Sequence, residues 1–133
     1  MVVVAIVGIL AAVGYPSYND YVVRGALTDA NSGLATVRAG MERFYQDNRT
    51  YATVGTFTTP CAVDAAKRTY GNFVIACVGT PTATVYTLSA TGSGSVAGFT
   101  FTVDQSDVRA TTAAKTGYNT CTTKWLMKKG EAC

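Results

Sequence analysis

Four cysteines are the residues of this chain whose type and spacing point most directly to chemistry: Cys61, Cys77, Cys121 and Cys133. No C-x-x-C pair occurs, so zinc binding and thioredoxin-type redox chemistry are poorly supported. An even number of cysteines behind an apolar N-terminal segment favours two disulfides in an oxidising compartment. Three pairings are possible. The simplest joins Cys61 to Cys77 and Cys121 to Cys133, and each short loop would contribute roughly 3 kcal/mol. The alternative is four free buried thiols in a cytosolic protein.

Residues suited to catalysis are scarce. The chain contains no histidine, which removes the commonest general base and the commonest metal ligand. Its eight carboxylates are scattered, with no paired spacing on one element. The Gly92-x-Gly94 sequence precedes no predicted helix and so does not indicate a phosphate-binding loop. We therefore predict no catalytic residues, no metal site and no cofactor, and we expect that the protein is not an enzyme.

Lysines alternate with aromatic residues near the C-terminus, in KTGYNTCTTKWLMKKGEAC. Basic side chains beside aromatic ones can hold DNA phosphates and stack on bases. The candidate DNA-binding residues are Lys115, Lys124, Trp125, Lys128 and Lys129. Glu131 and a net charge of only +3 weaken this interpretation. In the alternative interpretation, the lysines keep an exposed loop soluble or contact a neighbouring molecule, and Trp125 packs the loop down rather than binding a ligand.

The elements that must position these residues begin with an uncharged run over residues 1–13, MVVVAIVGILAAV. A bilayer span needs about 20 apolar residues. A cleaved signal peptide would begin with basic residues, and none precedes the run. A core helix that is apolar on all sides would need burial all round. The remaining interpretation is a membrane helix whose first turns precede the present numbering, and the sequence that follows favours it.

Three residues within and just after this run weaken helix formation: Gly8, Gly14 and Pro16. Proline removes a helical donor and clashes with the preceding turn, and each glycine costs about 1 kcal/mol relative to alanine. The stretch Gly8–Pro16 is therefore predicted either to kink or to melt when the segment packs among copies of itself.

An apolar stripe with alternating steps of four and three residues follows Pro16 and indicates an amphipathic helix that ends near residues 47–49. The stripe consists of Val23, Leu27, Ala30, Leu34, Val37, Met41 and Phe44. Such a helix is roughly 50 Å long, so one part must cover a small head and another part must find partners elsewhere. Gly25, Gly33 and Gly40 lie on another face, where they either admit a neighbouring backbone or are tolerated surface glycines.

The stretches MVVVAIVGILAAVGYPSYNDYVVRG and MERFYQDNRTY resemble the beginning and end of the N-terminal helix of type IV pilins. Gly8 and Pro16 match the residues that bracket the melted stretch in assembled pili. The family's Phe-Thr-Leu-x-Glu-Leu start is absent, so residue 1 corresponds to a position about six residues inside the mature N-terminus. VDQSDVRATT is similar to a turn of the family, with Asp107 where glycine is common; aspartate tolerates left-handed geometry better than most residues.

Strand patterns follow the helix, in residues 70–78, 83–91, 98–105 and 108–111. Together with the resemblance they predict an α+β fold. A long N-terminal helix, kinked or melted around Gly8–Pro16, packs on a four-stranded antiparallel sheet. The pilin comparison implies a C-terminal disulfide loop closed by Cys121–Cys133. Residues 1–24 are expected to form the membrane anchor and filament core, and residues 25–133 the globular head.

The resemblance implies a structural subunit of a type IV pilus, which serves adhesion, twitching motility and in some cases DNA uptake. Its partners would be other pilin copies, the pilus assembly machinery, the bacterial inner membrane before assembly, and DNA; the assembled pilus is extracellular. The expected filament-core residues are Val3, Ile6, Ile9, Leu10 and Val13. The alternatives are a minor pilin that acts as a DNA-uptake receptor, a type II secretion pseudopilin, and a plain membrane anchor for a monomeric domain.

Overall fold

The computed structural model describes residues 1–133, and its longest element is a single helix, α1 (Val2–Asn48). Arg49 ends the helix in a left-handed conformation with φ of 57°, and its N–H donates to the Tyr45 carbonyl at 2.7 Å. This is a common way of closing a helix. The predicted end near residues 47–49 agrees with the observed one.

Helical structure continues through Gly8–Pro16. The predicted melting is therefore not a feature of the single chain. One internal proline removes one hydrogen bond, whereas melting would break several, so the single chain keeps the helix. Melting remains a prediction for the packed filament.

Five strands form one antiparallel sheet whose spatial order follows the sequence. The strands are β1 (Thr69–Tyr70), β2 (Phe73–Cys77), β3 (Thr87–Gly92), β4 (Thr100–Asp104) and β5 (Arg109–Ala113). The α+β architecture is confirmed, but the predicted count of four strands is wrong. A turn at Gly71 divides the first predicted strand in two, because Gly71 has φ of 55° and lies so close to Asp29 that a side chain would collide with it.

The strand register places alternate side chains against α1. Ile75 pairs with Ala90 in the next strand, and Ala90 pairs with Phe101 in the one after. The buried sheet residues that result are Phe73, Ile75, Leu88, Ala90, Phe101 and Val103. Successive residues of a strand face opposite sides, so the threonine-rich positions between them point away from the helix.

The helix stripe forms the other half of this core. Its middle residues are buried, namely Leu27, Ala30, Leu34, Val37 and Met41, whereas Val23 and Phe44 at its two ends are half-buried. Gly33 is buried where α1 meets the sheet, and a Cβ there would lie 2.8 Å from the Tyr70 ring. Gly33 thus makes room for a side chain of its own head rather than for a neighbouring molecule. A Cβ at Gly25, in contrast, would have no other atom within 4 Å.

Polar contacts tie the far half of α1 to the head. Arg38 forms an ion pair with Asp107, which lies in the β4–β5 turn and has φ of 64°. The Glu42 carboxylate accepts hydrogen bonds from the hydroxyls of Tyr51 at 3.2 Å and Tyr86 at 3.0 Å. Burial, followed by the contact with Glu42, raises the pKa of the Tyr86 hydroxyl. Both tyrosines therefore remain neutral donors to this carboxylate.

Two disulfides brace the head. One joins Cys61 to Cys77 at the end of β2, and the other joins Cys121 to Cys133, with a Cα–Cα distance of 5.1 Å in each. This is the local pairing of the three that four cysteines allow. The second disulfide closes residues 121–133 into a loop. This loop belongs to the segment 114–133, which has no regular element and is called the C-terminal segment below.

Candidate functional site

Residues 2–13, called the apolar half of α1 below, leave their large apolar side chains exposed. Val3 is 72% exposed, Ile6 52%, Ile9 67%, Leu10 66% and Val13 69%. At 3.6 residues per turn, these five side chains fall within an arc of about 120°. By length and composition α1 is able to cross a membrane. A continuous apolar surface of this kind marks a membrane or protein contact.

One buried threonine anchors the C-terminal segment to the sheet. The Thr111 backbone exchanges two hydrogen bonds with Cys121, at 2.7 and 3.0 Å. Its hydroxyl accepts from the Leu126 N–H at 2.9 Å and donates to the Lys124 carbonyl at 3.2 Å. This role was not predictable from the sequence, because Thr111 lies among many threonines and nothing in the pattern distinguishes it.

Trp125 packs the same segment against β4 and β5. Its indole N–H donates to the Thr102 carbonyl at 2.8 Å. The Arg109 guanidinium carbon lies 4.6 Å from the ring centroid, within the range of a cation–π contact. Arg109 thus occupies one face of the ring, so that face is not free to stack on a base. This geometry matches the packing interpretation of Trp125.

The four candidate lysines are all exposed, but they differ in their partners. Lys124 Nζ lies 3.7 Å from Glu131 Oε1, and Lys129 Nζ lies 3.7 Å from Asp20 Oδ2 on α1. Lys115 lines the same cleft as Lys129. Two of the predicted DNA-binding residues therefore lie together beside α1, and Lys124 is paired within the C-terminal segment.

Glu131 organises the end of this segment. Its Oε2 accepts hydrogen bonds from the backbone N–H groups of Met127 at 3.0 Å and Lys128 at 3.1 Å. The bond from Met127 is the largest cause that holds the pKa of the Glu131 carboxyl below its usual value, and Lys124 acts in the same direction. Glu131 is therefore ionised at neutral pH and offsets part of the lysine charge.

Three known sequences or families are similar to this chain. The profile of a family described as "Type IV minor pilin ComP, DNA uptake sequence receptor" matches residues 16–102, which run from Pro16 in α1 into β4. The chain is 38% identical over 47 residues to "Fimbrial protein EcpC" of Eikenella corrodens, a match that covers 35% of this chain and 31% of that protein.

It is also 33% identical over 75 residues to "Fimbrial protein" of Moraxella nonliquefaciens, covering 56% of this chain and 48% of that protein. The matches thus span less than half the length of either fimbrial relative. Residues 103–133, which contain the candidate lysines, lie outside the family match. The matched region nevertheless covers more than half of the chain and most of the helix-on-sheet architecture, so the chain belongs to the type IV pilins, in the family of the minor pilin ComP.

Proposed function

We propose that this protein is a pilus subunit that polymerises through the exposed apolar half of α1. One observation carries the proposal: the head has a complete core of helix stripe and sheet, yet nothing in the chain covers residues 2–13. In the inner membrane lipid covers this surface, and in the extracellular pilus the same surface of other copies covers it. The role is structural rather than enzymatic.

The free energies indicate why assembly needs machinery. Each large apolar side chain gains roughly 1.5–3 kcal/mol on leaving water, so five of them hold a filament firmly in aqueous surroundings. Lipid tails are as apolar as these side chains, so moving a subunit from bilayer to filament gains little from burial alone. Extraction from the membrane is therefore the driven step. Melting at Gly8–Pro16 would let α1 lengthen to fit the packing.

Electron microscopy of cells that express variants tests this proposal. Ile6→Ala/Leu10→Ala removes apolar volume from the exposed half of α1, and we expect filaments to be lost while the membrane-bound protein persists. Val85→Ala/Val108→Ala is the matched control, because these valines are 49% and 53% exposed on the head. Filaments as abundant in the first variant as in the control would reject polymerisation through α1.

A second function, DNA reception by the C-terminal segment, is favoured by two observations. The description of the matching family names a DNA uptake sequence receptor. Four exposed lysines lie in the C-terminal segment, with Glu131 as its one acidic residue. The segment is held rigidly by Thr111, Trp125 and the Cys121–Cys133 disulfide, so a DNA-binding surface would be in place before the ligand arrives.

Measuring DNA binding by the full chain in nonionic detergent tests the receptor function. Each phosphate contact that is lost should reduce the slope of log K against log salt by about 0.9. We expect Lys124→Ala/Lys128→Ala to weaken duplex binding and to flatten this slope. Arg43→Ala/Lys67→Ala, which removes the same charge outside the C-terminal segment, should do neither. Equal effects of the two variants, or no binding by the unaltered chain, would reject the receptor function.

A further inference from the structure

A cleft of about 290 Å³ lies where the C-terminal segment touches α1, just after the apolar half of the helix. One wall comes from α1, with Asn19, Asp20, Val22 and Val23. The other comes from the head, with Ser95, Lys115, Thr116, Tyr118 and Lys129. The polar side chains that matter most are Asp20, Ser95, Lys115, Tyr118 and Lys129. Its volume is at the lower limit of small-molecule pockets, about 300 Å³, so it suits a single small polar group.

Positive charge exceeds negative charge in this cleft. Lys115 and Lys129 are exposed, and Asp20 is the one acidic residue that lines the cleft. Arg24 lies one helical turn beyond Asp20 and is close enough to act on Tyr118. Burial is the main cause that raises the pKa of the Tyr118 hydroxyl, while Asp20 raises this pKa and Arg24 lowers it. An anion in the cleft would meet two cations, Lys115 and Lys129, and one carboxylate, Asp20.

The Tyr118 hydroxyl lacks a partner. Its oxygen is buried and forms no hydrogen bond, while the ring packs edge-on against Phe99 with centroids 4.8 Å apart. A buried hydroxyl without a partner costs about 1–3 kcal/mol. A ligand whose acceptor oxygen reached this hydroxyl, with a small shift of the side chains that cover it, would remove this cost.

The position of the cleft along α1 indicates where that ligand comes from. Tyr15, Tyr18 and Tyr21 follow the apolar run at intervals of three residues and are 72%, 68% and 77% exposed. Exposed tyrosines at the end of an apolar helix are typical of the membrane–water interface. Asp20 is the first charged side chain of α1. When the apolar half lies in a bilayer, the cleft therefore lies at the level of the lipid headgroups.

We propose that this cleft binds the phosphate of an anionic phospholipid headgroup while the subunit waits in the membrane. Lys115 and Lys129 pair with the phosphate, and the Tyr118 hydroxyl donates to one of its oxygens. The headgroup competes with Asp20 for Lys129, whose Nζ is 3.7 Å from the carboxylate. Bound lipid would hold the head upright on the bilayer. The proposal rests on the membrane location proposed above.

The test uses the full chain in nonionic detergent, with short-chain phosphatidylglycerol as the probe and native mass spectrometry to count bound lipid. A lysine near an anionic surface contributes about 1 kcal/mol, or about fivefold in affinity. Lys115→Gln/Lys129→Gln should therefore bind the probe roughly thirtyfold more weakly. Arg43→Gln/Lys67→Gln carries the same charge change away from the cleft and should bind normally. Asp20→Asn should bind several-fold more tightly, an increase that a misfolded variant would not show.

Four results would overturn the proposal. The first two are unchanged binding of phosphatidylglycerol by Lys115→Gln/Lys129→Gln, and binding of short-chain phosphatidylcholine as tight as that of phosphatidylglycerol. The other two are binding of inorganic phosphate as tight as that of the lipid, and displacement of the lipid by a short DNA duplex at a concentration below that of the lipid. The last two would identify a free anion or a nucleic acid as the ligand. Filament formation is scored separately. A variant that loses lipid but still forms filaments leaves the subunit function intact, and lipid binding without filaments rejects only polymerisation.

Discussion

At the scale of single residues, the Thr111 hydroxyl contributes most clearly to placing the C-terminal segment. Thr111→Val keeps the shape of the side chain but leaves the Leu126 N–H and the Lys124 carbonyl without their partner. Since a buried group without a partner costs about 1–3 kcal/mol, we expect the free energy of unfolding to fall by about that amount. Thermal or denaturant unfolding measures it. Thr122→Val, at an exposed threonine in the same segment, should change little, and equal stability of the two variants would contradict the anchoring role.

Glu131 gives the same segment a pH dependence. The pKa of its carboxyl is lowered from an ordinary 4.5, first by the Met127 N–H. A lowered pKa means that the stabilisation is present above the ordinary value and is lost as the pH falls through the folded-state value. We expect the protection of the Met127 and Lys128 amides against hydrogen exchange to hold above pH 4.5 and to fall as the pH drops below it. Glu131→Gln should remove this dependence, and Asp107→Asn, at another carboxyl of lowered pKa, should not. Identical profiles for the unaltered chain and Glu131→Gln would refute the prediction.

Sequence reasoning could find the lysines but not their partners. Their alternation with aromatic residues is visible in the letters, whereas the contact of Lys129 with Asp20 depends on where the chain returns to α1. Likewise, Arg109 covers Trp125 because β5 passes beside the ring. Alternatives that the sequence left open, such as stacking or packing for Trp125, therefore depend on tertiary geometry.

At the scale of elements, two glycines of α1 make a matched pair. Glycine to alanine in a helix gains about 1 kcal/mol when nothing interferes. Gly25 has no atom within 4 Å, so Gly25→Ala should stabilise the head by about this amount. A Cβ at Gly33 would lie 2.8 Å from Tyr70 and 3.1 Å from Ile75, so Gly33→Ala should destabilise it instead. Denaturant unfolding measures the change in the free energy of unfolding for each variant, which should rise for Gly25→Ala and fall for Gly33→Ala. Stabilisation by both substitutions would show that the helix and the sheet are not in such close contact.

Elements with a strong periodic pattern were predictable. The stripe from Val23 to Phe44 runs along the face of α1 that packs on the sheet, because a period near 3.6 allows only one buried face. β1 was not separated from β2, since residues 70–78 were taken together as one strand. The break lies at Gly71, which has a positive φ and where a side chain would collide with Asp29. Short-range pattern thus predicts element type better than the breaks that tertiary contacts impose.

At the scale of the whole molecule, α1 has two environments. Its second half is stabilised by its own head, through the core and the Arg38–Asp107 and Glu42–tyrosine contacts. Residues 2–13 at its start are exposed in the single chain, and in the proposed function lipid or other copies cover them. Because these environments are separate, conditions that release one subunit from another need not unfold the head.

This separation predicts how filaments respond to solvent. A nonionic detergent supplies apolar chains equivalent to lipid and competes directly for residues 2–13, so it should dissolve filaments into monomers whose head stays folded. Sodium chloride at about 1 M reduces the Debye length to about 3 Å and so weakens exposed ion pairs, but it leaves apolar contacts in place. Filaments should therefore survive salt. Sedimentation measures the polymer, and circular dichroism measures the head. Dissociation by salt but not by detergent would mean that charged surfaces of the heads, rather than the apolar half of α1, hold the subunits together.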